Sequence, residues 1–252
     1  METRYMRRNM RIPLYAALLF IAVSCTNNTK TPSVAVTNPP AAAIMEKVMT
    51  AEDQAKLTPD GVIASLKEGN QRFTQNKLTP RNYAEQVRKS GDGQYPKAVI
   101  LSCLDSRIPV ELVFDEGIGD AFVARIAGNF VNTDILGSME YGCKVSGAKV
   151  ILVLGHEHCG AIKSAIDGVK LGNITAMLEK IKPAIKKSSA YTGDKSSKNY
   201  EYVDLVCRNN VLHTIDEIKA KSPILKEMAD HGKIKIVGAI YELGTGEVKF
   251  LE

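Results

Sequence analysis

The stretch LSCLDSR at 101–107 places a thiol, a carboxylate and a guanidinium, those of Cys103, Asp105 and Arg107, at every second position directly after the apolar run Ala98-Val99-Ile100-Leu101. A second stretch, LGHEHCG at 154–160, places His156 and Cys159 three apart behind another apolar run. Structural zinc sites close with four Cys or His ligands, whereas catalytic sites use three and leave one position to water. Cys103, His156 and Cys159 supply three, and neither motif completes a fourth in the obvious way. An open site with an activated water is the expectation, since bound zinc lowers the pKa of water from ~15.7 to near 7. Two thiolates weaken that effect by donating charge, so the surrounding hydrogen bonds must compensate. Asp105 has two options. It can take the fourth position on zinc and close the site, or it can pair with Arg107 and leave that position to water. A bidentate arginine–carboxylate pair keeps the aspartate anionic, able to accept a proton and to orient a nucleophile.

Each residue also has a plainer reading. A cysteine at a strand end is by itself a small buried hydrophobe, and one Asp-x-Arg is a surface ion pair. Two such motifs behind two apolar strands favour the metal. His158 is expected to point away from the ion, His213 and His231 to be ordinary helix or turn residues, and Cys143 and Cys207 to be core thiols.

Continuous apolar runs at 97–103, 120–128, 148–155 and 233–243 predict strands covered on both faces, with a last short strand at 248–252. Helical periodicity covers 58–76, 134–146, 160–167, 174–187, 203–221 and 223–231, with another short helix at 81–90. Alternation of the two predicts an α/β fold with a central, mostly parallel sheet flanked by helices. Sites in such sheets form beyond the carboxyl ends of the strands. If the strands ending at Cys103 and His156 are neighbours, the two motifs face one crevice. Gly155 and Gly160 flank the His-x-x-Cys turn and are expected to give its backbone room. A helix starting near Cys159 would favour a thiolate there.

The chain of 252 residues carries a formal charge of +5. Arg4, Arg7, Arg8 and Arg11 against Glu2 account for most of it, so the rest is near neutral and gives no reason to expect a nucleic-acid partner. The basic start is followed by IPLYAALLFIAVSC, too short to span a bilayer, which needs roughly 20 apolar residues. Residues 1–25 therefore read as a secretory signal, and Ala22-Val23-Ser24-Cys25 resembles a lipobox with Cys25 as the acylated residue. Residues 26–56 read as a tether whose second half could become a helix, and 57–252 as one catalytic domain. An exported lipoprotein of a bacterial envelope, periplasmic or at the outer membrane and touching the membrane only through its lipid, is the expected setting.

The stretches LKEGNQRF (66–73), ILSCLDSRIPVELVFDEGIGDAFVARIAGNFV (100–131), GSMEYG (137–142), VLGHEHCGAIK (153–163), SPILKEM (222–228) and IVGAIYELGTGEVKFL (236–251) resemble, in order, those of beta-class carbonic anhydrases. The resemblance implies one Zn²⁺ per subunit on Cys103, His156 and Cys159, with Asp105 and Arg107 as the catalytic dyad. It implies reversible hydration of CO₂ to bicarbonate by a zinc-activated hydroxide. It places Gln94, Phe122, Ala127, Tyr141 and Gly160 at the substrate pocket, partly from a second subunit. It also implies a homodimer or homotetramer, with residues 57–90 as a helical arm around the partner. Glu157 and His158 depart from the family pattern and would bear on access or proton traffic. Residues 186–202 read as a surface loop. Two rivals share the site: a carbon disulfide or carbonyl sulfide hydrolase, for which no tunnel-forming insertion is visible, and a non-catalytic zinc-binding lipoprotein, which has no use for the dyad.

Overall fold

The structure, a computed structural model, describes residues 44–251. The expected signal segment, Cys25 and the first part of the expected tether lie outside the described residues. Helices α1 (Ala51–Ala55), α2 (Pro59–Thr74) and α3 (Tyr83–Ser90) precede strand β1 (Ala98–Ser102). Then come α4 (Val110–Val113), β2 (Ala121–Arg125), α5 (Thr133–Glu140) with a π-helical extension over Tyr141–Val145, and β3 (Val150–His156). Helices α6 (Gly160–Ile166), α7 (Gly172–Glu179), α8 (Lys182–Lys187), α9 (Tyr200–Lys221) and α10 (Pro223–Asp230) lead to β4 (Lys235–Tyr241) and β5 (Val248–Phe250). Among the described residues no helix is long and apolar enough to cross a membrane.

The five strands form one sheet in the order β2-β1-β3-β4-β5, parallel except for β5. Side chains alternate faces along a strand. Ala98 and Ile100 of β1 accordingly join Leu152, Leu154, Val62, Leu66 and Phe114 on one face. Val99 and Leu101 join Ile151, Val153, Val211, Ile218 and Leu225 on the other. β1 and β3 are buried throughout, as their apolar runs predict. β2 is not. Its run was expected over 120–128 and covered on both faces, but it is an edge strand of intermediate burial that ends at Arg125.

The packed chain begins before Leu57. Met45 donates its N–H to Pro80 O, and Gln54 Nε2 donates at 2.8 Å to the carbonyls of Pro96 and Ser146. Part of the expected tether, 44–56, is thus attached to the domain. Thr50 and Asp53 close a capping box at the start of α1. Thr58 caps α2 ahead of Pro59, as the Thr-Pro-Asp signal indicates. α2 lies on this chain's own sheet, with Gly69 against the Phe114 backbone.

Candidate metal centre

The register carries the two motifs to one place. Ser102 of β1 stands beside Leu154 of β3 on one side and Arg125 of β2 on the other. Cys103 and His156 therefore leave adjacent strands at their carboxyl ends, and Cys159 caps α6 just beyond. The donor atoms of Cys103, His156 and Cys159 all lie within 4.8 Å of one another, and all three residues are buried. The two sulfurs are 3.8 Å apart. A disulfide needs about 2.05 Å, whereas two bonds of ~2.3 Å to one tetrahedral zinc set sulfurs about 3.8 Å apart. Cys103, Cys143, Cys159 and Cys207 are all free.

His156 supplies a second test of fit. Its Nδ1 lies 2.9 Å from Glu157 O, which can only accept, so Nδ1 carries the proton. That leaves Nε2 a bare lone pair, buried and without a hydrogen-bond partner. A buried acceptor without a partner costs about 1–3 kcal/mol, and a divalent ion removes that cost. The thiols conflict in the same way. Cys103 is pushed down by its Cys159 neighbour, His156 and the Gly128 N–H, against its burial. Cys159 is pushed up by Cys103 and by burial. A cation between them is what lets both become thiolates. The three donors fit zinc.

Asp105 lies outside the trio. Its Oδ1 accepts from the Arg107 backbone N–H at 3.0 Å and from Nε at 2.9 Å, and its Oδ2 accepts from Nη2 at 2.7 Å. These bonds hold its carboxyl well below the usual carboxylate range, with burial opposing. Oδ2 is 3.9 Å from His156 Nδ1, so the carboxylate borders the trio without belonging to it. Of the two options open to Asp105, this is the pairing with Arg107.

The His-x-x-Cys turn is not made by its glycines. His158 takes the left-handed conformation, at φ 53°. Its N–H donates to Asp204 Oδ1 at 3.0 Å, and its ring stacks on Tyr200 at 4.2 Å between centroids. It points away from the trio, as expected. Gly155 is needed for close packing, since a Cβ there would stand 2.6 Å from Val211 Cγ2, and Gly160 meets nothing within 4 Å. Glu157 is tied to the end of β4, donating its N–H to Tyr241 O and accepting from the Leu243 N–H at its Oε2.

The five expected pocket residues divide. Gly160 adjoins Cys159, and Ala127 adjoins Gly128, whose N–H points at Cys103 Sγ at 3.4 Å. Phe122 pairs with Val99, four residues before Cys103, and meets the exposed Tyr141 ring at a tilt, 6.5 Å between centroids. Gln94 is exposed before β1, at the opposite end of the strand from Cys103. These three are not brought to the trio within one chain. Sequence reasoning missed Arg125, Asp204 and Asn210, which bond the backbone of the site's loops. Cys207, expected as a core thiol, is buried in the same cluster as Cys103 and Cys159.

The carbonic anhydrase family model matches residues 98–248. Carbonic anhydrase 2 of Mycobacterium tuberculosis is 34% identical over 190 residues, covering 72% of this chain and 87% of that protein. A Coccomyxa beta-carbonic anhydrase, solved in complex with acetazolamide, is 26% identical and aligns at a TM-score of 0.60 over 75% of this chain and 86% of its own. A tetrameric beta-carbonic anhydrase of Sordaria macrospora, at 24% identity, shares the fold at a TM-score of 0.58 over 76% and 95% of the two chains. The family match, the identity to curated carbonic anhydrases and the shared fold agree, and this chain belongs to the beta-class carbonic anhydrases.

Proposed function

We propose that the protein interconverts CO₂ and water with bicarbonate and a proton, with zinc held by Cys103, His156 and Cys159. Zinc supplies Lewis acidity that brings the pKa of a water toward neutrality. The chain's own residues supply the rest. Arg107 fixes Asp105 through both carboxylate oxygens. Oδ1 already accepts two N–H groups, whereas Oδ2 accepts one and keeps a lone pair on the His156 side. Oδ2 is thus placed to accept a hydrogen bond from the attacking water and turn the oxygen's free lone pair toward the carbon of CO₂. The proton of the reaction leaves to buffer. Burial of the trio keeps competing water away from its donor atoms.

The observation that carries this reading is the Asp105–Arg107 pair held beside the trio, since a storage or purely structural zinc site has no use for it. Stopped-flow CO₂ hydration on zinc-quantified wild type and Asp105→Ala tests it. Wild type should run well above buffer and the variant far below wild type. Zinc-loaded wild type with no rate above buffer would overturn the proposal.

We further infer a second copy against the edge strand β2. Support comes from the groove lined by Val99, Phe122, Ala124, Ile135 and Tyr141, and from the distance of Gln94, Phe122 and Tyr141 from their own trio. Sedimentation should give a dimer or a multiple of it. Export with acylation at Cys25 is proposed from the N-terminal pattern alone. A mature N-terminus at Cys25 carrying a lipid mass is the expected result, and an unprocessed chain the contrary one.

A further inference from the structure

α9 runs behind both loops of the metal centre and bonds each of them through a polar side chain. Asn210 and Thr214, four residues apart, share one face of it, and Asp204, six before Asn210, lies about 120° around the helix. Asn210 and Thr214 are 1% and 2% exposed, and polar groups so buried are costly unless bonded. Both bond the same segment. Asn210 Nδ2 donates to Gly128 O at 2.7 Å, and Thr214 Oγ1 donates to Asn129 O at 3.3 Å.

That segment needs holding. Gly128 and Asn129 are both left-handed, at φ 82° and 36°. A non-glycine residue in that region carries a conformational cost that the surroundings must offset. The conformation has a result at the metal centre, because it points the Gly128 N–H at Cys103 Sγ, 3.4 Å away. Hydrogen bonds around a ligand orient it and tune its hold on the ion. Asp204 does for the other loop what Asn210 does here, accepting the His158 N–H between His156 and Cys159.

We propose that Asn210, supported by Thr214, is a positioning residue of the metal centre: it locks the Gly128-Asn129 turn so that the Gly128 N–H stays on the Cys103 sulfur, and it thereby sets how long zinc is retained. The proposal rests on the zinc reading above.

The test follows zinc release from the full-length holoenzyme to an excess of a chromogenic chelator, alongside thermal melting of the metal-free protein. Asn210→Leu should release zinc about ten- to a hundredfold faster, the usual effect of losing a partner around a metal ligand. Thr214→Val, nearly isosteric, should act in the same direction by a few-fold and gives the answer if Asn210→Leu does not fold. Asn209→Ala is the control. Its Nδ2 bonds Ser188 Oγ at 2.8 Å, away from the trio, so it should lower melting but leave release at the wild-type rate. With cobalt in place of zinc, the thiolate charge-transfer band should shift in Asn210→Leu and not in Asn209→Ala. Release from folded Asn210→Leu and Thr214→Val within twofold of wild type would overturn the proposal, as would equal acceleration in Asn209→Ala. Zinc-bearing wild type with equally retentive variants removes this inference alone. Wild type without zinc removes the reading beneath it as well.

Discussion

Arg125, the last residue of β2, donates through Nε to the backbone carbonyl of Cys103, just past the end of the neighbouring strand β1, at 2.9 Å. Its Nη2 donates to the backbone carbonyl of Asp105. One rigid guanidinium therefore fixes the backbone on both sides of Leu104. The Cys103 sulfur and the Asp105 carboxylate are presented from a segment that cannot twist. A flexible ammonium cannot reproduce this fork.

Arg125→Lys should consequently fail as a conservative change. A drop of roughly 10–100-fold in kcat/KM for CO₂ hydration is expected, in line with the loss of partners that orient metal ligands. Stopped-flow rates normalised to bound zinc measure it, and a lysine variant at wild-type rate would contradict the clamp.

Asp105→Asn removes the anion without disturbing the trio, because Asp105 is not one of its three donors. Zinc content should stay at that of wild type while kcat/KM falls by about 10²–10⁴, the range for losing a positioned acid–base group. Arg107 holds the Asp105 carboxyl well below the usual carboxylate range, so it stays ionised across mildly acid to alkaline pH. No loss of activity in that window should trace to its protonation. Zinc loss from Asp105→Asn would show that the carboxylate acts as a ligand.

Asp115 carries a pH dependence of stability. Its side chain is fully buried. Burial pushes its carboxyl up, but hydrogen bonds from Arg81, Thr79 and Arg72 outweigh that and leave it at about 2. The unfolded value is about 3.9. A carboxyl depressed in the folded state stabilises fully above its unfolded pKa, and that contribution is lost as pH falls through the folded one. About 2–3 kcal/mol should disappear between roughly pH 4 and pH 2. Urea unfolding at stepped pH should show the slope in wild type and lose it in Asp115→Asn, which should also be less stable at pH 7 by roughly 3–5 kcal/mol.

Two helical glycines should respond oppositely to alanine. At Gly69 a Cβ would stand 1.9 Å from Phe114 O, so α2 must move off the sheet. A loss of about 2–4 kcal/mol is expected. At Gly137 in α5, which lines the groove beside β2, a Cβ meets nothing of its own chain within 4 Å, and alanine should stabilise the dissociated single chain by about 0.5–1 kcal/mol. Thermal melting of the two variants separates them by sign.

The parts of the site with a spacing signature were legible in the sequence. Cys103, Asp105 and Arg107 after one apolar run, and His156 and Cys159 after another, needed only adjacent strands to meet, and β1 and β3 are adjacent. What escaped was set by tertiary order. The run at 120–128 is as apolar as a central strand, yet strand order places β2 at the edge, and no local pattern encodes that order. Arg125, Asp204 and Asn210 act on backbone atoms 20 to 82 residues away, and such bonds leave no periodicity to read. A sharper reading of Ala127-Gly128-Asn129 could have marked the left-handed turn, since glycine followed by asparagine suits it. The turn at His158 had no such signal, because a histidine there is held by Asp204 from another helix.

The most direct test of the metal centre is zinc K-edge X-ray absorption on freshly purified protein. The expected spectrum shows one zinc per chain with two sulfur neighbours near ~2.3 Å and two nitrogen or oxygen neighbours near ~2.0–2.1 Å. A protein without zinc, or one in which Cys103 and Cys159 are bonded to each other, would contradict it.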